Sequence, residues 1–169
     1  MKSLTICTTY GTKYWPLPVQ KALETIEKNW PVHAEVLVYP DDMKQQMPLR
    51  NFKYLDLCKE QPTLKEFINR HENNPQLNPR VRQDSTEAHD FDKDTQIYIY
   101  DAVRFSYKVF ACIDAYRRTK PDMLWFLDAD IVTFDKVTMD WLEHITPDDK
   151  FTSYLGRPKK GFSETGYYA

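Results

Sequence analysis

The sequence predicts an α/β fold, three layers deep, around a mainly parallel central sheet. Three observations predict it. Met123-Leu124-Trp125-Phe126-Leu127 is an unbroken apolar run with aromatic residues and no polar alternation, as expected of a strand buried on both faces in a helix-covered parallel sheet. Segments of strand type alternate with segments of helical period, the order that βαβ units require. The chain has 169 residues, 41% of them hydrophobic, enough for one domain spanning residues 1–169 with a substantial core.

In chain order, Leu4 to Thr8 reads as the first strand, and Thr8-Thr9-Tyr10-Gly11 as the turn after it. Gly11 is one of only four glycines, which suggests a backbone role. Trp15 to Asn29 reads as a helix with Pro16 and Pro18 at its start and Val19, Ala22, Leu23, Ile26 and Trp30 at helical spacing. Ala34 to Tyr39 is a second strand, stopped by Pro40-Asp41-Asp42, and Phe52 to Leu57 a third. Pro62 to His71 is a helix opened by proline. Residues 72–96 carry turn chemistry and read as a flexible loop excursion. Asp101 to Arg118 is the strongest helix, with an expected apolar stripe of Ala102, Phe105, Val109, Cys112, Ile113 and Tyr116. On another face Asp101, Arg104 and Lys108 line up. After the Met123 run, Lys136 to Glu143 is expected to be a short helix and Phe151 to Leu155 a strand. The last fourteen residues hold three glycines and the basic Arg157, Lys159 and Lys160, a composition suited to a loop that approaches an anion.

A net charge of −2, with both signs plentiful, gives no reason to expect a nucleic-acid partner. No apolar run reaches membrane-spanning length, so no transmembrane segment is expected. The first residues suit a strand better than a secretory signal. Cys7, Cys58 and Cys112 are dispersed, without zinc spacing. They read as small core residues of a protein in a reducing compartment, hence a cytoplasmic one. Trp15, Trp30, Trp125 and Trp141 read as core, and the four histidines show no metal-ligand spacing.

The chemistry is expected at Asp128-Ala129-Asp130, where the buried strand ends. In extended chain, residues i and i+2 face the same side, just past a strand's carboxyl end, where open α/β sheets place ligands. Two carboxylates held together repel unless a cation lies between them. Asp128 and Asp130 are therefore candidate ligands for Mg²⁺ or Mn²⁺, with much of the shell left for water and phosphate oxygens. The same spacing at Asp90, Asp92 and Asp94 falls in polar sequence and reads as solvated loop. Arg104 and Lys108, with Arg157, Lys159 and Lys160, are candidate phosphate counter-charges. No Walker A and no G-x-G-x-x-G pattern is present. The combination points to a nucleoside diphosphate held by metal and basic side chains, with the metal acting as Lewis acid on a leaving diphosphate.

The order Thr8-Thr9-Tyr10-Gly11, Arg104-Phe105-Ser106-Tyr107-Lys108, Leu124 to Asp130 and Ser163-Glu164-Thr165-Gly166-Tyr167 resembles the GT-A-fold glycosyltransferases of the D-x-D type. The resemblance implies a GT-A-like, Rossmann-type architecture and transfer of a sugar from a nucleotide-diphosphate sugar. A UDP-sugar is the first expectation for the donor, and a glycan, lipid or protein the acceptor. It implies Asp130 as direct metal ligand and Asp128 on the ribose, the metal or both. Thr8 and Tyr10 would border the base, Arg104 and Lys108 would face diphosphate or sugar, and Gly11 and Ala129 would join the donor-binding set. Glu164 would lie near donor sugar or acceptor as the candidate catalytic residue. Only residues 131–169 follow the motif, with His144 their one histidine. The expectation is therefore a domain lacking part of its acceptor half, or a donor-binding fragment without turnover.

Asp128-Ala129-Asp130-Ile131-Val132 also satisfies the nucleophile motif of haloacid-dehalogenase-type phosphatases, with Asp128 attacking phosphorus and Asp130 as acid/base. That motif normally opens its domain, whereas here it comes late. An EF-hand loop is excluded: counted from Asp128, Thr133 stands where glycine is needed and Met139 where the bidentate glutamate is needed.

Overall fold

The computed structural model describes residues 2–78 and 101–148, and the backbone of Tyr167–Tyr168. The expected strand at Phe151 to Leu155, most of the 72–96 excursion, and Glu164, Arg157, Lys159 and Lys160 lie outside the described residues.

The elements are β1 (Leu4–Tyr10), α1 (Val19–Asn29), β2 (Glu35–Pro40), β3 (Phe52–Tyr54), α2 (Leu57–Glu60), α3 (Pro62–His71), α4 (Ala102–Thr119), β4 (Met123–Leu127), α5 (Met139–Ile145) and β5 (Tyr167–Tyr168). The sheet order is β3-β2-β1-β4-β5. The first four strands are parallel, and β5 runs antiparallel to β4, with Tyr167 opposite Leu127. From β1 the chain builds outward through β2 and β3, then returns to place β4 on the other side. The order therefore reverses between β1 and β4, the place where open α/β sheets carry their ligand crevice, at the strands' carboxyl ends.

Strand alternation sorts the core into two clusters. Leu4, Ile6, Tyr10, Val36, Val38, Trp125 and Leu127 face α1, whose Val19, Leu23 and Ile26 cover them together with Leu142 of α5. Cys7, Leu37, Tyr39 and Phe126 face the other way, under Leu57, Leu64, Ala111 and Ala115 of α2, α3 and α4. The result is a mixed α/β sandwich with helices on both faces. No helix among the described residues is long and apolar enough to cross a membrane.

Several boundaries differ from the sequence reading. β1 continues through Thr8, Thr9 and Tyr10, because two β-branched residues and a tyrosine pair with β2 instead of turning. The first long helix begins at Val19. Thr12–Tyr14 ahead of it is a 3₁₀ turn, and the Trp15–Pro16 and Leu17–Pro18 peptides are cis. β3 stops at Tyr54, and Leu57 already belongs to α2, capped by the Asp56 side chain. α5 starts at Met139, where the Thr138 hydroxyl caps the Trp141 N–H.

The largest correction concerns α4. Val109 and Tyr116, expected on its buried stripe, are more than half exposed. The buried positions are Ser106, Ala111, Asp114 and Ala115. The helix presses on the sheet through small side chains, so it lies close: Cys112 Sγ is 3.8 Å from Cys7 Sγ, and the Thr5 hydroxyl donates to the Thr119 hydroxyl at 2.9 Å. Among the four tryptophans Trp30 and Trp125 are core, while Trp141 is 40% exposed. Of the cysteines only Cys7 is fully buried, and none forms a disulfide.

Asp114, 5% exposed, ties three elements together. It accepts from Tyr39 OH at 2.8 Å, Gln61 Nε2 at 2.9 Å and Arg118 Nε at 3.1 Å, and Arg118 also bridges to Glu60 at 2.5 Å. Burial pushes this carboxyl up, but the hydrogen bonds from Gln61, Arg118 and Tyr39 outweigh it and hold the group below its ordinary value.

Candidate functional site

The site follows from how α4 crosses the sheet. Thr119 meets Thr5 near the start of β1, and Cys112 meets Cys7 two residues further along the strand. The helix thus runs antiparallel to β1, and its amino-terminal turns overhang the carboxyl edge. Continuing the sheet-facing row back from Ala115 and Ala111 in steps of three or four residues reaches Lys108 and then Arg104. The long basic side chains begin where the small packing residues end.

Both reach the crevice. Lys108 Nζ lies 2.5 Å from Asp128 Oδ1, with side chains 17% and 30% exposed. The ammonium also sits over the rings of Phe105, at 5.5 Å, and Phe126, at 5.3 Å, within cation–π range. Arg104 Nη2 donates to Tyr14 OH at 3.3 Å, so the guanidinium lies beside the chain that leaves β1. The Asp101 carboxylate caps the helix by accepting the Arg104 backbone N–H at 2.9 Å.

On the β4 side the strand ends at Leu127, and Asp128, Ala129 and Asp130 follow on a turn closed by the Ile131 N–H on the Asp128 carbonyl at 3.0 Å. The two acids therefore sit on a turn, and extended-strand alternation does not set their relative direction. Asp128 keeps the face of Phe126, toward α4. Ala129 packs on the opposite cluster, and Asp130 is exposed. The chain after the turn is pinned to the end of α1. The Thr133 N–H donates to Thr25 Oγ1 and the Trp30 indole N–H to Thr133 Oγ1, both at 3.0 Å, and the Asn29 amide donates to the Thr133 carbonyl.

On the β1 side Thr8 is wholly buried, and its hydroxyl has no hydrogen-bond partner among the described residues. Tyr10 is a core residue, 6% exposed. Its ring stacks on Trp15 with centroids 5.7 Å apart, its hydroxyl donates to the Gln45 carbonyl, and burial pushes the phenol far above its ordinary value. Gly11 has an ordinary φ of −95°. Its constraint is proximity, since a Cβ there would stand 3.3 Å from Asp41 Oδ2. Asp41 Oδ1 in turn accepts the Thr12 N–H at 2.7 Å and the Thr12 hydroxyl at 2.5 Å. The loops after β1 and β2 are thereby tied at the same edge.

The structure thus gathers Arg104, Lys108 and Asp128 around the β1/β4 crevice, with Asp130 on the adjoining turn and Gly11 beside Asp41. Thr8 and Tyr10 belong to the core side of β1. Two participants escaped the sequence reading. Tyr14 carried no signal beyond being an aromatic in a short loop, whereas Asp41 was visible as Pro40-Asp41-Asp42 at a strand's carboxyl end and was read only as a stop.

As a donor set, Asp128 and Asp130 offer hard oxygen atoms. No cluster of three or more His, Cys, Asp or Glu suited to a metal occurs among the described residues. Two carboxylates by themselves would leave most of the shell of a cation such as Mg²⁺ or Mn²⁺ to water and other oxygens. Compared with known proteins, the sequence matches no family model and no curated protein.

Proposed function

We propose that the chain is a GT-A-like domain that binds a nucleotide-diphosphate sugar, a UDP-sugar first, through Mn²⁺ or Mg²⁺ and transfers the sugar to a glycan, lipid or protein acceptor. The observation that carries this reading is the meeting of Asp128 with Lys108 at the reversal point of a parallel sheet, with Arg104 one helical turn away. Open α/β sheets bind ligands at that point. A site joining carboxylates to cationic side chains suits a ligand that brings both a metal and excess negative charge.

In this mechanism Asp128 and Asp130 would hold the cation, which when bound would supply Lewis acidity to a departing diphosphate. Arg104 and Lys108 balance phosphate charge as the sugar's anomeric carbon separates from the diphosphate oxygen. Gly11 and Ala129 would border the nucleoside, with the buried Thr8 and Tyr10 behind them. Glu164 is the candidate base of this reading. The same reading places the protein in a reducing, cytoplasmic compartment, where Cys7 and Cys112 remain thiols.

The test is calorimetric titration of the chain with UDP, with and without Mn²⁺. Binding that requires Mn²⁺ is expected. Asp130→Ala abolishes it while the urea unfolding midpoint holds. Unchanged Mn²⁺-dependent affinity in that variant overturns the assignment, as does an aspartyl phosphate trapped on Asp128. Release of sugar from UDP-glucose or UDP-galactose then separates an enzyme from a donor-binding domain.

A further inference from the structure

Lys108 is more enclosed than the carboxylate it meets, with its side chain 17% exposed against 30% for Asp128. Its ammonium lies over two aromatic rings, and Asp128 Oδ1 is its carboxylate partner among the described residues. That oxygen is also one that a divalent cation would need. A cation arriving alone would displace the ammonium, leave it half-buried without a counter-ion and repel it. A diphosphate arriving with the cation gives the ammonium new oxygen partners within the same crevice.

We infer that Lys108 is an internal counter-ion of Asp128 that exchanges its carboxylate for the ligand's phosphate, and so makes cation and nucleoside-diphosphate binding depend on each other. This rests on the donor-binding reading above and adds a coupling to it. Because linkage is reciprocal, whatever the diphosphate does for the cation, the cation does for the diphosphate. Lys108 discourages loading by the cation alone.

Lys108→Met keeps the chain length and apolar contact with Phe105 and Phe126 and removes the charge. Free Mn²⁺ is followed by electron paramagnetic resonance during titration of the protein, with and without UDP, after subtraction of a protein-free Mn²⁺–UDP titration. In Lys108→Met, Mn²⁺ alone binds more tightly than in the natural chain, by ~10-fold. The further gain on adding UDP shrinks by a similar factor, leaving what direct chelation supplies. Lys108→Arg, which keeps the charge, retains most of the coupling. Equal or weaker binding of Mn²⁺ alone by Lys108→Met overturns the inference, as does an undiminished gain from UDP. If neither the natural chain nor Lys108→Met binds Mn²⁺ with or without UDP, while urea unfolding shows both folded, the donor-binding reading itself has failed.

Discussion

Asp114 and Asp128 both meet basic residues of α4, yet their surroundings give them different tasks. Asp114 is closed in, and every hydrogen bond it accepts is internal to the fold. Asp114→Ala strands the Tyr39 hydroxyl and the Gln61 amide, and unfolding in urea is expected to show a loss of about 3 kcal/mol. Asp114→Asn provides the pH test. A carboxyl held below its ordinary value contributes stability above its unfolded pKa, about 3.9, and loses it as pH falls through the lower folded value. The stability difference between the natural chain and Asp114→Asn is therefore largest near neutrality and shrinks below about pH 4. A difference that stays constant from pH 7 to pH 3 contradicts the assigned charge. Thr8 is the opposite case, a buried hydroxyl that the described fold leaves unpartnered. Thr8→Val preserves its shape and removes the unmet polar group, so stability is expected to rise by about 1 kcal/mol. If the hydroxyl serves the nucleoside, UDP affinity falls in the same variant. A stabilised Thr8→Val with weakened UDP binding identifies a group kept for the ligand at the fold's expense.

Element by element, what the sequence revealed depended on whether one physical cue dominated. Met123–Leu127 and Pro62–His71 match their expected bounds, because an unbroken apolar run and an opening proline each admit few alternatives. α4 was found as a helix, but its contact face was misjudged. Apolar periodicity favours large residues such as Val109 and Tyr116, whereas close approach to a sheet selects Ala111 and Ala115. Arg104 and Lys108 had an ambiguous sequence signature, since a helix-face row of charges is usually solvated. Only the offset of α4 past the sheet edge brings them to Tyr14 and Asp128. This offset makes a testable link between packing and site. Ala115→Leu puts a branched side chain into the tight α4–sheet contact and is expected to cost about 1–3 kcal/mol by overpacking. If α4 shifts as one body, the variant also weakens Mn²⁺-dependent UDP binding, although Ala115 lies about three turns from Arg104. A variant that folds with unchanged UDP affinity would show that the amino-terminal turns hold their place independently.

At the scale of the whole molecule, the strand order decides where a ligand can stabilise the fold. The crevice lies between β1 and β4, two interior strands, each with partners on both sides. A ligand seated there contacts segments distant in sequence: the loop after β1, the start of α4 and the turn after β4. None of these contacts survives unfolding, so binding must raise the melting temperature by linkage. With UDP and Mn²⁺ at one hundred times the dissociation constant, the stabilisation is about 2.7 kcal/mol, which for a chain of this size corresponds to ~5–10 °C. Three controls give the shift its meaning. EDTA added with UDP removes it if the cation bridges the chain and diphosphate. Asp130→Ala removes it while melting at the natural temperature without ligand, because an exposed turn residue contributes little to the core. UMP with Mn²⁺ gives a much smaller shift, since one phosphate offers the cation and Lys108 fewer oxygens than two. A shift of equal size with UMP, or one indifferent to EDTA, would place nucleoside recognition in the crevice without the metal-bridged diphosphate on which the proposed sugar transfer depends.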